Sequence, residues 1–306
     1  MRSYSKRRTS VRRRYPARRR KVTRRPSSRR SRYSKRRPMT KRAVLNVSST
    51  KKRDTLVPYT NTTVATPSGG TTYNVGPAII TGDLSAWMFP FICTARSMDS
   101  TTSGSNPTIP VRGIAGDPST RASSTCYMKG YSEKILLQTN DGMPWAWRRI
   151  VFNYKGGTIA STQNSGFSLY TLTNAGYTRV VNQTTNTTII ASLMFQGTQG
   201  TDWTDYFDAP TDTRNITIMS DKTRSIAGGN EDGIMRVYKD YIPMNKNLVY
   251  ADDESGGGLY ENTLSTLGKP GMGDVYIVDM FRARFGATNS SRLTFHPQGC
   301  LYWHEK

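Results

Sequence analysis

Short apolar runs separated by turn-forming residues fill most of the chain after residue 77. The runs are rich in Thr, Val, Ile, Tyr and Phe, and clusters of Gly, Asn, Asp and Pro separate them. No segment keeps a 3.6-residue apolar period over three turns, so the pattern predicts a mostly β body. The predicted strands cover residues 87–95, 131–139, 147–155, 167–173, 187–196, 215–220, 234–241, 247–251, 274–285 and 292–295, with 300–303 as a further candidate.

The strand predicted over residues 147–155 has apolar side chains on both faces. Ile150 and Phe152 lie on one face, and Trp147 and Val151 lie on the other. Two interpretations stay open: a sandwich strand that also contacts a neighbouring subunit, and a strand buried inside one subunit.

Strands without alternating helices leave a β-sandwich, a jelly roll or a barrel. Long inserts rich in Gly, Ser and Thr at residues 99–124, 197–213 and 252–273 favour a single jelly-roll sandwich, which carries long loops at the ends of its strands. Residues 203–207 of the second insert fit either one short helix or ordinary loop packing. The predicted fold class is therefore all-β.

Positive charge is concentrated at the start of the chain. Residues 1–53 contain 24 of the 44 Lys and Arg residues and no Asp or Glu, so they carry +24, while the remaining 20 bases and 21 acids leave the rest at −1. Like charges at this density, with few apolar residues, predict a disordered arm over 1–53. A connector with Pro58 and Pro67 follows over 54–76, and the jelly-roll domain covers 77–306.

A charge polarised in this way indicates a polyanionic partner, and nucleic acid is the obvious one. Phosphate binding by the arm would release counterions and would be strong, sequence-blind and salt-sensitive. The same clusters satisfy the requirement for a nuclear localisation signal. Phosphate contacts alone do not distinguish DNA from RNA. The cluster residues are Lys6, Arg7, Arg8, Arg12, Arg13, Arg14, Arg18, Arg19, Arg20, Lys21, Arg24, Arg25, Arg29, Arg30, Lys35, Arg36 and Arg37, and Tyr4, Tyr15 and Tyr33 are candidates for stacking on unpaired bases.

Catalytic chemistry has little support in the sequence. Gly268-Lys269 is followed by Pro270 and lacks the upstream glycine of a phosphate-binding loop. Only His296 and His304 could serve as histidine bases. We expect no enzymatic activity and no cofactor.

Two groups could hold a metal ion, and both have a simpler explanation. His296, Cys300 and His304 are spaced by four residues, but on a strand or turn they would not converge, so packing is favoured. The acidic residues 252–254 could bind calcium, but the glycines that follow favour a hairpin loop. We expect no metal site.

Trp145 and Trp147 beside Arg148 and Arg149 fit either an inner surface that contacts nucleic acid or a buried core with exposed arginines. The three cysteines form no CxxC pair, and no secretory signal or membrane-spanning apolar run is evident, which favours a reducing compartment and no membrane partner.

The body resembles the capsid proteins of genomoviruses, the gemycircularvirus group of small circular single-stranded DNA viruses, and is distantly similar to geminivirus coat proteins. The resemblance implies a capsid shell domain, self-assembly into a small icosahedral shell of about 60 copies, packaging of circular single-stranded DNA, and entry into the host nucleus by import receptors. It implies locations in the virion and the host nucleus. The similar segments are Cys126-Tyr127-Met128-Lys129-Gly130, Ser132-Glu133, Met143-Pro144-Trp145, Arg148-Arg149-Ile150, Lys52-Arg53-Asp54-Thr55, Asp274-Val275-Tyr276-Ile277-Val278-Asp279 and Cys300-Leu301-Tyr302-Trp303.

Two alternatives stay open beside a single-stranded DNA capsid protein. One is the coat protein of a small RNA virus with a basic arm, and the other is a host nucleic-acid-binding protein. A nearly neutral β body of 253 residues, counted from residue 54 to residue 306, is an unusual companion for the latter.

Overall fold

Antiparallel strands are the main regular element of the structure, a computed structural model that describes residues 39–306 except 84, 85, 104, 107, 108, 165 and 185, and except the side chain of Arg42. The prediction of a mostly β chain is confirmed. Residues 45–306 form one compact unit. The elements are α1 (Lys41–Ser48), β1 (Thr50–Leu56), β2 (Pro58–Thr60), β3 (Asn74–Val75), β4 (Ala78–Thr81), β5 (Trp87–Ile92), β6 (Asp99–Thr102), β7 (Pro110–Arg112), β8 (Thr125–Thr139), β9 (Trp145–Tyr154), β10 (Thr171–Thr173), β11 (Gly176–Val181), α2 (Thr187–Met194), β12 (Thr217–Ile226), β13 (Met235–Val249), β14 (Asp253–Ser255), β15 (Gly258–Tyr260), β16 (Asp274–Ala283) and β17 (Arg292–Glu305), with a short 3₁₀ turn at Ala160–Thr162.

Two large antiparallel sheets pack face to face. Sheet A has the order β1-β17-β8-β13, and β4 also pairs with β17; sheet B has the order β12-β9-β16-β5. Met128 and Leu301 of sheet A share one buried apolar cluster with Phe91 and Ile277 of sheet B. Burying these side chains between the sheets is the main source of stability for such a sandwich. A smaller sheet has the order β10-β11-β2-β3, and β6-β7 and β14-β15 are two-stranded.

Strand β17 shows why sheet A forms. Its residues alternate between the core and the outer face, with Leu293, Phe295, Leu301 and Trp303 buried. This period of two is the signature of a strand with one covered face. The strands predicted at 292–295 and 300–303 are parts of this single strand, and those predicted at 234–241 and 247–251 both overlap β13, which covers Met235–Val249.

A third layer covers the outer face of sheet B. Ile150 and Phe152 of β9 pack against Ile190 and Met194 of α2, which lies in the segment between β11 and β12. The strand predicted at 187–196 is therefore wrong. The β-branched residues there favoured a strand, but a helix places Ile190, Ala191 and Met194 on one buried stripe, and that burial outweighs the local preference.

The same layer decides between the two interpretations of the 147–155 strand. Strand β9 lies between β12 and β16, and both of its faces are covered by the chain itself. Its two apolar faces are explained by burial within one subunit, so they do not indicate a contact with a neighbour.

The predicted domain boundaries shift towards the start of the chain. Strand β1 contains Lys51–Arg53 of the predicted arm, and β2 and β3 lie in the predicted connector. The strand predicted at 167–173 is reduced to β10, with a single bridge between Asn164 and Phe167. Residues 203–207 form turns rather than a helix. No helix in the described part of the chain is long and apolar enough to cross a membrane.

Gly299 provides a test of this packing. It lies on the inner side of β17, and a β-carbon there would collide with the ring and hydroxyl of buried Tyr131. We expect Gly299→Ala to destabilise the protein by about 1–3 kcal/mol, the usual effect of overpacking a core. The measurement is urea unfolding followed by circular dichroism. Gly257→Ala is the control, because nothing lies within 4 Å of its β-carbon position; equal unfolding midpoints for the two variants would contradict the packing described.

Candidate nucleic-acid interface

The predicted nucleic-acid-binding residues from Lys6 to Arg37, and the stacking candidates Tyr4, Tyr15 and Tyr33, lie in residues 1–38, outside the described residues. Their roles stay predictions. The described residues hold a second basic surface, which the sequence did not predict.

This surface is the outer face of sheet A, formed by the side chains of β1, β17, β8 and β13 that point away from sheet B. Lys51 and Arg53 are exposed on β1, while Lys52 between them is buried. On β8, Tyr127 and Lys129 are exposed, and their neighbours in the strand alternate into the core. The alternation of each strand therefore sorts its side chains between the core and this face.

The outer face of sheet A carries bases and no carboxylate among the described residues. The four carboxylates of these strands all point inward, each paired with a buried base. Asp54 pairs with Arg96, Glu305 with Lys52 at 3.1 Å, Glu133 with Arg149 and Arg179, and Asp240 with Arg149 and Arg224. The bases on the outer face are Lys51, Arg53, Lys129, Lys134, Lys239 and Arg292.

Cross-strand register places aromatic rings among these bases. Lys51 is opposite His304, and His304 is opposite Tyr127, whose ring centroid lies 6.0 Å from that of the imidazole. In the next row, Arg53 is opposite Tyr302. A shallow groove of about 360 Å³ is lined by Lys51, Arg53, Lys129, Tyr241, Tyr302 and His304.

Two hydrogen bonds hold tyrosine rings in this face. The Tyr241 hydroxyl donates to the carbonyl oxygen of Lys129 at 3.4 Å, and the Ser132 hydroxyl donates to the Tyr302 hydroxyl oxygen at 3.4 Å. Tyr127 is 38% exposed and Tyr241 is 53% exposed, so part of each ring is open to a ligand.

His304 lies among the lysines of this face. Burial lowers the pKa of this imidazole below its ordinary value, and the charges of Lys51 and Lys129 lower it further. A cationic surface with open aromatic rings is the combination that binds single-stranded nucleic acid, since phosphates meet the bases and unpaired nucleobases stack on the rings.

Both interpretations of the Trp145–Arg149 segment are wrong about the arginines. Trp145 and Trp147 are buried, as the core interpretation expected, but Arg148 and Arg149 are buried as well. Arg148 points to the covering layer and pairs with Asp221 at 2.7 Å. The arginines fit in the interior because each has carboxylate partners, which a single sequence does not reveal.

Arg149 belongs to a buried ionic cluster between the sheets, which we define as Glu133, Arg149, Arg179, Asp240 and Asp279. Arg179 bridges Glu133 and Asp279, at 2.8 Å to each. Burial alone raises the pKa of the Glu133 carboxyl, but Arg149 and Arg179 outweigh it, and its pKa lies below the ordinary value. Glu133 is therefore held in its charged form.

The two groups considered for metal binding are placed as follows. His296, Cys300 and His304 lie along the outer face of β17, and a spacing of four residues on a strand separates them by about 13 Å. Asp252 pairs with buried Arg121 at 2.6 Å, and the following residues form the β14-β15 hairpin, as the hairpin interpretation predicted. No group of three His, Cys, Asp or Glu side chains suited to a metal occurs in the described residues.

Comparison with known proteins adds little. No protein-family model matches the chain, and no curated protein matches it. Among solved structures, the chain is similar to a mutant of the unassembled Washington University Polyomavirus VP1 pentamer, with 9% sequence identity, 88% of this chain and 95% of that chain covered, and a TM-score of 0.11. A TM-score this low carries no argument about fold or function.

Neutralising one member of the buried ionic cluster should strongly lower the free energy of unfolding. We expect Glu133→Gln to destabilise the protein by about 3–5 kcal/mol, because it leaves Arg149 and Arg179 buried with one carboxylate fewer. The measurement is the free energy of unfolding in urea. Glu254→Gln, the same change on the exposed β14-β15 hairpin, is the control and should have almost no effect. Similar values for both variants would show that the cluster contributes no such stability.

Proposed function

We propose that this chain is the capsid protein of a small single-stranded DNA virus, in which the body is a single jelly roll that assembles into an icosahedral shell and the basic arm packages the genome. The arm also acts as the nuclear localisation signal. The protein has a structural role and no enzymatic one. Its partners are other copies of itself, the genome and host import receptors, and it is located in the virion and the host nucleus.

The observation that carries the proposal is the strand order of the two large sheets. Leaving β4 aside, the sheets contain eight strands, which in chain order are β1, β5, β8, β9, β12, β13, β16 and β17. The first pairs with the eighth, the second with the seventh, the third with the sixth and the fourth with the fifth. This nesting of antiparallel pairs in two sheets supports the single jelly roll that we propose, a fold that viral capsid domains use widely.

Charge distribution supports the same function. Residues 1–53 carry +24 and the rest carries −1, so one part suits a polyanion and the other can pack against copies of itself without strong repulsion. About 60 such arms would supply roughly 1,400 positive charges, which suits a genome on the scale of a kilobase. The resemblance to genomovirus capsid proteins favours DNA as that genome.

Assembly and contents provide the first test. We expect the purified full chain to form closed shells on electron micrographs, with packaged nucleic acid that is sensitive to DNase after thermal release and sequences as circular single strands. RNase-sensitive contents would instead favour the coat protein of a small RNA virus. A polypeptide that stays monomeric and does not bind single-stranded oligonucleotides at low ionic strength would overturn the capsid function.

Deletion of residues 1–42 provides the second test. We expect the truncated protein to lose nucleic-acid packaging and the nuclear import of a fluorescent fusion, because the arm supplies the uncompensated charge. Its β circular dichroism should persist, since β1 begins at Thr50. An arm of the same composition in shuffled order is the control and should package normally, because phosphate binding ignores sequence. Loss of the β signal, or unchanged packaging without the arm, would contradict the division of roles.

A further inference from the structure

We propose that the outer face of sheet A is a second binding surface for single-stranded DNA, where lysines and arginines bind phosphates and the groove-lining Tyr241 and Tyr302 stack on unpaired nucleobases. This inference rests on the proposed function and adds to it a site in the folded body. The arm then gathers the genome, and the face orders a short stretch of it on each subunit.

Charge complementarity is the first argument for DNA on this face. The lysines and arginines of the face have no carboxylate partners on the same side of the sheet, because the carboxylates of all four strands point inward and form ion pairs there. Adjacent outward residues such as Lys51 and Arg53 are about 7 Å apart along β1, and Lys129 lies two strands away, about 10 Å across the sheet. Cations at such intervals can bind successive phosphates of one strand, whereas an isolated surface lysine would bind none specifically.

The aromatic rings are the second argument, and they favour single strands over duplex. Tyr302 of β17 is opposite Arg53 of β1 on one side and Gly130 of β8 on the other. The Tyr241 hydroxyl donates a hydrogen bond to the backbone oxygen of Lys129. Each ring therefore neighbours a lysine or arginine residue, whose side chain could bind the phosphate of the stacked nucleotide. A duplex keeps its nucleobases stacked inside and would leave these rings unused.

The surroundings of the face supply the third argument. The apolar outer face of sheet B is covered by the chain's own third layer, whereas side chains on the corresponding face of sheet A, such as Lys129 and Tyr241, are exposed. Tyrosines together with lysines and arginines that have no carboxylate partner on a broad sheet would be poorly suited to an apolar protein surface and well suited to a polyanion with π-faces.

The test measures binding of a labelled 20-nucleotide oligo(dT) to the full chain over a range of salt concentrations. The paired change Lys51→Gln with Lys129→Gln should lower the slope of log affinity against log salt by about 1.4, since each lost single-strand phosphate contact contributes about 0.7. Lys269→Gln, on the exposed loop between β15 and β16 and outside the four strands of the face, should leave the slope almost unchanged.

Tyrosine variants separate stacking from charge. Tyr241→Leu and Tyr302→Leu should each weaken oligo(dT) binding about tenfold without changing the salt slope, the loss expected for one stacked base. Tyr302→Phe should restore the affinity, because it keeps the ring, and Tyr260→Leu on β15 should have no effect. Against an abasic strand of the same length, the leucine variants should bind as the unmodified chain does.

The possible results distinguish this inference from the proposed function. If neutralising the arm abolishes packaging but the sheet A variants match the unmodified chain in affinity and salt slope, the capsid function stands and the second surface is refuted. Equal tyrosine effects with duplex DNA would refute single-strand binding. Circular dichroism melting of each variant excludes misfolding as the cause of a loss.

Discussion

The buried ionic cluster between the two sheets is the contact on which the arrangement of the molecule depends. Glu133 comes from β8 of sheet A, Arg149 and Asp279 come from β9 and β16 of sheet B, and Arg179 comes from β11. Apolar packing alone would tolerate small shifts of one sheet over the other. Ion pairs buried away from solvent oppose such shifts, because an arginine displaced from its carboxylate would remain buried and unpaired. The cluster therefore fixes the relative position of three parts of the fold.

The same inward placement of acids shapes the outside of sheet A. Each carboxylate used to neutralise an interior arginine or lysine is one that does not appear on the outer face. Asp54, Glu133, Asp240 and Glu305 are all used in this way. A body with a net charge near zero thus presents one strongly cationic face, and its overall charge gives no indication of it.

The sequence predicted the β class and most of the strands in sheets A and B, because alternation and apolar runs report burial directly. It failed at 187–196, where tertiary packing made a helix from β-branched residues, and at Lys51–Arg53, where a dense run of charge hid a strand that buries every second side chain. Arg149 was predicted to be exposed because the partners that make its burial possible come from distant strands. The sequence did not predict the outer face of sheet A, because its neighbouring side chains come from strands far apart in sequence and only the strand register shows which of them are opposite each other.

Pairing between β1 and β17 also constrains when the fold can be completed. Lys51 is opposite His304, a separation of 304 − 51 = 253 positions, so β1 emerges from the ribosome long before its partner strand exists. Contacts this distant in sequence form late and slowly. During synthesis the basic arm is therefore attached to a strand whose edges are unpaired, which is a state prone to aggregation. Sheet A is completed only after Glu305 has been made. A partner that binds the basic arm before β17 has been synthesised would therefore assist folding as well as act as a ligand.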